Sequence, residues 1–484
     1  MSKAQTLNLI KNPKFILAII LTIFFLKGIF ISTIFPIFTG QDEARHYSSL
    51  QYRTEPKDKS WEKIDRPLGS IKKENIADYN FSEEMIRAGQ SADFDVFRHQ
   101  LYNTVNFTSG YNGANEAEIN SMSWKPYNYY KEPDIVPSDN LYYSMATYIE
   151  KALGKSDILV RFFANRIFST FLGLISIFLA YLIFKNIGLK EKESLILTAI
   201  VAFQPRYAMY FGNINYDVLL IPLFFLFTLG AILSLKDGFN WKNGLIMLIA
   251  IGAGFLTKAT ALILLLPFLG LISYFLYKNY KKKIDLKIIS LATLGLLIVM
   301  LISPYDFTSL LPFKNTLAET VQSLDAYLSK SLTLGRFALS SRTYWGSLGW
   351  SSSIIEENFT DTLWSIETLS AIGILILLFS KKKLDFLPEK KYVIFMLLML
   401  ISLQLGIRMA DWKVFIFSGN LELGTPGRYF LPNLASHLAL VFIGLGALLR
   451  KENYFKNTLL VGLILMLSFS MYLIFNIIVP RYYL

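Results

Sequence analysis

The 484 residues are 53% hydrophobic and 17% charged, with a mean hydropathy of +0.41; a soluble domain carries about a quarter charged residues. The lack of cysteine excludes disulfides, thiolate catalysis and Cys-ligated metals, and only three histidines (His46, His99, His437) argue against a multi-histidine metal centre. The net charge of +12 is unevenly placed: residues 40–157 hold 19 Asp/Glu against 14 Lys/Arg, a net of −5 that leaves +17 for the rest. Much of that excess lies in short loops between apolar blocks, as a membrane orientation signal would, and no nucleic-acid partner is expected.

The first apolar block, 15–35, follows a short basic start, lacks a small-residue cleavage site and ends at Pro36, so it reads as a retained first helix. Further blocks fall near 158–184, 193–208, 216–235, 242–256, 259–278, 285–303, 362–380, 391–407, 428–449 and 457–479. Blocks of about twenty residues are long enough to cross about 30 Å of hydrocarbon at about 1.5 Å per residue. The pattern predicts an all-α polytopic membrane protein, a bundle of about eleven transmembrane helices forming one domain over 1–484. Blocks 242–256 and 259–278 are parted by little more than Thr257-Lys258 and read either as two spans or as one broken region. With the N-terminus inside, the inner loops carry 18 basic residues and the short outer loops four, Arg206, Lys258, Arg408 and Lys413. That predicts a cytoplasmic N-terminus and an extracytoplasmic C-terminus. It places 40–157 outside as a large first loop and 304–361 outside as a second.

Candidate chemistry gathers at the outer helix ends. Asp42 and Glu43 follow the first helix, where a partly dry setting makes a carboxylate more basic; Asp42 is the candidate base, with Glu43 and His46 to orient it. The same two carboxylates would hold a divalent cation, Mg²⁺ or Mn²⁺, if the reaction used one. Asp217 opens an apolar helix after Gly212-Asn213-Ile214-Asn215-Tyr216, where N-capping also explains it; Arg206 precedes it. Lys258, between two apolar blocks, either snorkels or serves a site. Ser341-Arg342-Thr343-Tyr344-Trp345-Gly346 reads as an interfacial belt or as a sugar-stacking platform, with Trp345 against rings and Arg342 on phosphate. Arg428, in Gly427-Arg428-Tyr429-Phe430-Leu431-Pro432, needs an anion at that depth, either a lipid phosphate or one of Asp42, Asp217 and Glu422. Helix interiors read as nearly free of charge, which favours chemistry at one face over translocation.

In this order the motifs resemble the GT-C superfamily of membrane glycosyltransferases, and more closely a prokaryotic multi-pass family of unknown function grouped with it. The matching stretches are Asp42-Glu43-Ala44-Arg45-His46, Leu141-Tyr142-Tyr143, Asn215-Tyr216-Asp217, Gly254-Phe255-Leu256-Thr257-Lys258, Tyr344-Trp345-Gly346 with Gly349-Trp350, and Gly427 to Pro432. Where a His-Pro-Pro-like lead into the tyrosines is expected, Pro137-Ser138-Asp139-Asn140 stands instead. The resemblance implies a polyprenyl-phosphate-linked sugar donor, a glycan, lipid or protein acceptor, transfer on the outer face of a prokaryotic cytoplasmic membrane, and Asp42 as catalytic base. By that reading His46, Arg206, Asp217, Lys258, Arg342, Trp345, Arg428 and Tyr429 bind substrate. The competing reading is a transporter or flippase of lipid-linked glycans without covalent chemistry, which would line a midplane path with polar groups.

Overall fold

A computed structural model describes residues 12–54, 81–92, 113–120, 140–278, 317–348, 352–353, 357–421 and 426–483. The span expected over 285–303, the pair Gly349-Trp350, Pro137-Ser138-Asp139 and Glu422 lie outside them. Among the described residues the protein is all-α apart from a two-residue antiparallel pairing of β1 (Ser347–Leu348) with β2 (Ser352–Ser353). Eight helices there are long and apolar enough to cross a membrane.

Helix α1 (Pro13–Ile34) starts at Asn12, whose side chain accepts the Lys14 N–H. Pro13 sits in its first turn, where the missing N–H costs nothing, and extended Phe35 ends it ahead of Pro36. The first loop contributes α2 (Glu43–Thr54), α3 (Glu83–Ser91), α4 (Gly113–Asn120) and α5 (Leu141–Ala152). Asp157 then caps α6 (Ile158–Asn186) by accepting the Val160 N–H at 2.9 Å.

The apolar block 193–208 is not one span. Helix α7 (Glu191–Phe203) stops at Gln204, and Pro205, which cannot continue the ladder, opens a separate α8 (Pro205–Phe211) capped by the Gln204 side chain. Then come α9 (Asp217–Asp237) and α10 (Trp241–Thr257). Lys258 is extended, and a 3₁₀ turn over Ala259–Leu264 leads into α11 (Leu265–Lys278). Phe275 near the end of α11 packs on Phe239, just before α10, with ring centroids 5.7 Å apart. The chain therefore runs out along α10, turns at Lys258 and returns, so 241–278 is an antiparallel pair, of which Ala259–Lys278 is long and apolar enough to cross a membrane and Trp241–Thr257 is a shorter apolar helix.

The second half holds α12 (Leu317–Ser331), α13 (Leu334–Gly346), α14 (Glu357–Phe379), α15 (Lys390–Ser418), a 3₁₀ turn over Gly427–Asn433 running into α16 (Leu434–Leu449), α17 (Glu452–Leu473), a π turn over Ile474–Ile478 and α18 (Val479–Tyr483). Two spans are central: 83% of an apolar 18-residue stretch is buried in α9 and in Gly427–Leu449, against 22% in Asn358–Phe379. In lipid, helices associate by close packing rather than by escape from water. Helices α14 and α16 do so through glycine: a Cβ on Gly373 would stand 1.9 Å from the Gly444 carbonyl oxygen.

The first loop is pinned to the bundle by a buried polar network. Arg161, in the first turn of α6, pairs with Glu150 of α5 at 2.6 Å and with Glu84 of α3. Glu150 also accepts from the Tyr47 hydroxyl at 2.9 Å and Asn165 Nδ2 at 3.0 Å. Burial raises both glutamate pKa values, and Arg161 opposes that rise. Asn140, at the start of α5, accepts the Tyr142 and Tyr143 N–H groups and donates to the Thr257 carbonyl, which ties the loop to the Lys258 turn.

Candidate active site

One end of the bundle carries a polar cluster, where the C-terminal ends of α1 and α10, the N-terminal ends of α6 and α9 and the 3₁₀ turn before α16 meet α2 and α5. Asp42 precedes α2 with φ of +56°. For a residue with a Cβ that conformation costs about 1–2 kcal/mol, so surrounding contacts must impose it. The Asp42 carboxylate stays about a third exposed, and its Oδ2 lies 3.3 Å from Arg428 Nη2.

Arg428 Nη2 also donates to the Tyr429 hydroxyl at 2.8 Å, and the guanidinium lies 4.5 Å from the Tyr429 ring centre. Its Nε and Nη1 are buried with no hydrogen-bond partner among the described residues. A buried unmet donor costs about 1–3 kcal/mol, more on a charged group. Two such donors on one guanidinium suit an anion.

In the same cluster, Lys258 donates to Asp217 Oδ1 at 2.8 Å and Oδ2 at 3.1 Å. Its ammonium lies 5.1 Å from the Tyr216 ring centre and 4.7 Å from that of Tyr429, so Tyr429 stands between the Lys258 and Arg428 cations. Burial alone would depress the Lys258 pKa; Asp217, Tyr216 and Tyr429 reverse that and hold it above the usual lysine value. Asp217 accepts a third bond from the Tyr210 hydroxyl at 3.0 Å, and its own N–H goes to Asn215 Oδ1. It opens α9 but works as the counter-ion of Lys258. Arg206 Nη2 reaches Gln41 Oε1 at 2.9 Å and feels the charge of Arg428.

His46, Tyr143 and Tyr216 form an aromatic wall. His46 Nδ1 is 2.5 Å from the Tyr143 hydroxyl, and Tyr216 meets both rings edge-on at 4.9 and 5.9 Å. Burial lowers the His46 pKa to about 4, with Asp42 and Asp217 partly offsetting it. The imidazole is therefore neutral near pH 7. Burial lifts the Tyr143 and Tyr216 hydroxyls above the usual tyrosine range.

Asp42, His46, Asp217, Lys258, Arg428 and Tyr429 thus form one cluster, and Gln41 adjoins it through Arg206. Two expectations are revised by where the side chains point. Glu43 is fully buried and turned away, with both oxygens bonded to Arg166. It is no proton-transfer partner. Trp345 is buried against Tyr344 and His437, with Nε1 toward Glu367 Oε1 at 3.3 Å, and offers no face for stacking. Arg342 is half-buried on α13, one residue before Thr343, whose hydroxyl accepts the Gly427 N–H at 2.8 Å. Arg408 lies over the Phe337 ring.

The donor set does not fit a divalent cation at Asp42 and Glu43, because one carboxylate faces Arg428 and the other is saturated by Arg166 and amides. No group of three His, Asp or Glu suited to a metal occurs among the described residues. Helix interiors also carry more charge than their hydropathy suggests. Arg161 and Arg166 lie in the N-terminal turns of α6, and Lys27 of α1 donates to Ser470 at 2.6 Å. Arg166 was missed because its block is apolar overall, although an arginine there needs an acid.

Residues 157–305 match the family model of the dolichyl-phosphate-mannose-protein mannosyltransferases, a GT-C-type family. The matched segment begins at the cap of α6 and contains Arg161, Arg166, Arg206, Asp217 and Lys258, while Asp42 and Arg428 lie outside it. No curated protein matches the chain. The family match and the helical membrane architecture support a membrane glycosyltransferase of GT-C type.

Proposed function

We propose that the chain, as a membrane glycosyltransferase of GT-C type, moves a sugar from a polyprenyl-phosphate-linked donor to an acceptor hydroxyl at the outer face of a prokaryotic cytoplasmic membrane. The observation that carries this reading is Arg428, whose two unpartnered buried donors lie beside a half-open carboxylate. A phosphodiester supplies the missing acceptors in the planar, forked geometry a guanidinium prefers. Lys258 and Arg206 add positive charge where the leaving phosphate gains negative charge. The excess of Lys and Arg in the opposite loops supports the outer-face orientation, with the N-terminus cytoplasmic and the C-terminus extracytoplasmic.

In the transfer, the acceptor oxygen bonds to the sugar's anomeric carbon as the bond from that carbon to the phosphate oxygen breaks. The acceptor's proton passes to Asp42, and polyprenyl phosphate leaves with the bonding pair. At rest Asp42 Oδ2 faces Arg428 Nη2 at 3.3 Å. A donor phosphate competes for that guanidinium and leaves the carboxylate free to meet the acceptor hydroxyl. Tyr216, the half-buried member of the aromatic wall, offers ring surface to a sugar, with His46 and Tyr143 packed behind it.

The test uses full-length protein in lipid nanodiscs with a polyprenyl-phosphate sugar and candidate glycan, lipid and protein acceptors. Wild type should release free polyprenyl phosphate in step with sugar transfer, and Asp42→Asn should bind donor but lose turnover. Full turnover by Asp42→Asn contradicts the assignment. Movement of labelled lipid between leaflets without sugar transfer supports the flippase reading instead.

A further inference from the structure

We infer that Arg166 and Glu43 form a positioning pair that holds Asp42 in its reactive place, an inference that rests on the reading of Asp42 as the base. All five guanidinium N–H groups of Arg166 are used. Nε donates to Glu43 Oε1 at 2.8 Å, Nη1 to the Ser32 and Phe35 carbonyls at 2.7 Å each, and Nη2 to the Pro36 carbonyl at 2.9 Å and Glu43 Oε2 at 2.7 Å. Glu43 accepts two more bonds, from Gly40 N–H at 2.9 Å and Ile214 N–H at 3.0 Å. Both side chains are fully buried, and the guanidinium lies over the Phe162 and Phe163 rings.

The pair therefore grips three stretches of backbone at once. One is the end of α1 at Ser32 to Pro36, the second is the turn at Gly40, and the third is Ile214, three residues before Asp217. Asp42 sits between two gripped points with φ of +56° and cannot relax without breaking them. The Ile214 bond sets the start of α9, which bears Asp217, against the turn that bears Asp42. A buried ion pair seldom adds net stability over apolar packing, and its better attested use is to specify one arrangement. Here that arrangement fixes the spacing of Asp42 and Asp217 through groups that touch neither carboxylate.

Misplacing a reacting group by about 1 Å costs about 100-fold in rate. Glu43→Gln and Gly40→Ala should each lower kcat about 100-fold, with KM for a polyprenyl-phosphate sugar unchanged within about threefold. The KM stays because Arg428 is untouched. A Cβ on Gly40 would meet Glu43 Oε2 at 2.7 Å and the Asn213 side chain at 2.8 Å, so Gly40→Ala reads the same point if Glu43→Gln fails to fold. In an Asp42→Asn background neither change should cause further loss, because a group that acts through Asp42 has nothing left to act on. Unchanged kcat in both variants, or losses that multiply with that of Asp42→Asn, overturns the positioning role. If Asp42→Asn alone keeps wild-type turnover, the reading of Asp42 falls instead, a different result from active pair variants beside an inactive Asp42→Asn.

Discussion

Lys258 spans from the turn between α10 and the returning span to both carboxylate oxygens of Asp217, the first residue of α9, at 2.8 and 3.1 Å. The pair is nearly sealed by Tyr216 and Tyr429, with side-chain exposures of 21% for Lys258 and 10% for Asp217. Removing one partner of such a pair strands the other. Lys258→Met should destabilise the protein by about 3 kcal/mol, read as a lower thermal midpoint in detergent. Lys258→Met/Asp217→Asn should recover most of that loss, because the double variant leaves no buried charge.

His46 makes stability depend on pH in a defined direction. Its folded pKa, about 4, lies below the ordinary 6.5, so the unfolded chain binds the proton more readily. Its contribution is complete above about pH 6.5 and is lost as pH falls toward 4. The difference is about 3 kcal/mol at one pKa unit per about 1.4 kcal/mol. Wild type should lose that much more stability than His46→Gln on titration through this window, measured by denaturant unfolding at each pH.

Gly427 sets the place of Arg428. A Cβ there would lie 2.2 Å from the Tyr344 backbone nitrogen and 2.5 Å from the Ser340 carbonyl oxygen, and neither can swing aside. Gly427→Ala should cost about 1–3 kcal/mol of stability by overpacking and raise KM for the donor by displacing the next residue. A normal thermal midpoint with unchanged donor KM would show that the 3₁₀ turn adapts.

Much of the site was legible because polar residues interrupt apolar blocks at one end. Asp42, Asp217, Lys258 and Arg428 were each visible as an interruption, and the structure brings them together. Depth along a helix does not give direction around it, which is why the sequence does not show that Glu43 turns to Arg166 and Trp345 to Glu367. Arg166 and its partner Glu43 are 123 residues apart, and the arginine hides in a block whose mean hydropathy is that of a span. The break at Gln204-Pro205 was available in the sequence, since proline ends a helical ladder, but the run of apolar residues on both sides masked it.

Arg428→Lys keeps the charge but loses the planar fork. Turnover at saturating donor should persist, while donor affinity should fall about tenfold, the value of about one charge-assisted hydrogen bond. Initial-rate measurements over a range of donor concentrations separate the two. A loss of kcat at unchanged KM would place the guanidinium on the transition state instead.

The most direct measurement is equilibrium binding of polyprenyl phosphate to the purified protein in lipid nanodiscs, for wild type, Arg428→Met and Asp42→Asn. Binding should weaken at least about tenfold in Arg428→Met, and in Asp42→Asn it should hold or tighten because the competing carboxylate is gone. Equal affinity in wild type and Arg428→Met would contradict a phosphate at Arg428, and with it the glycosyl-transfer chemistry built on that contact.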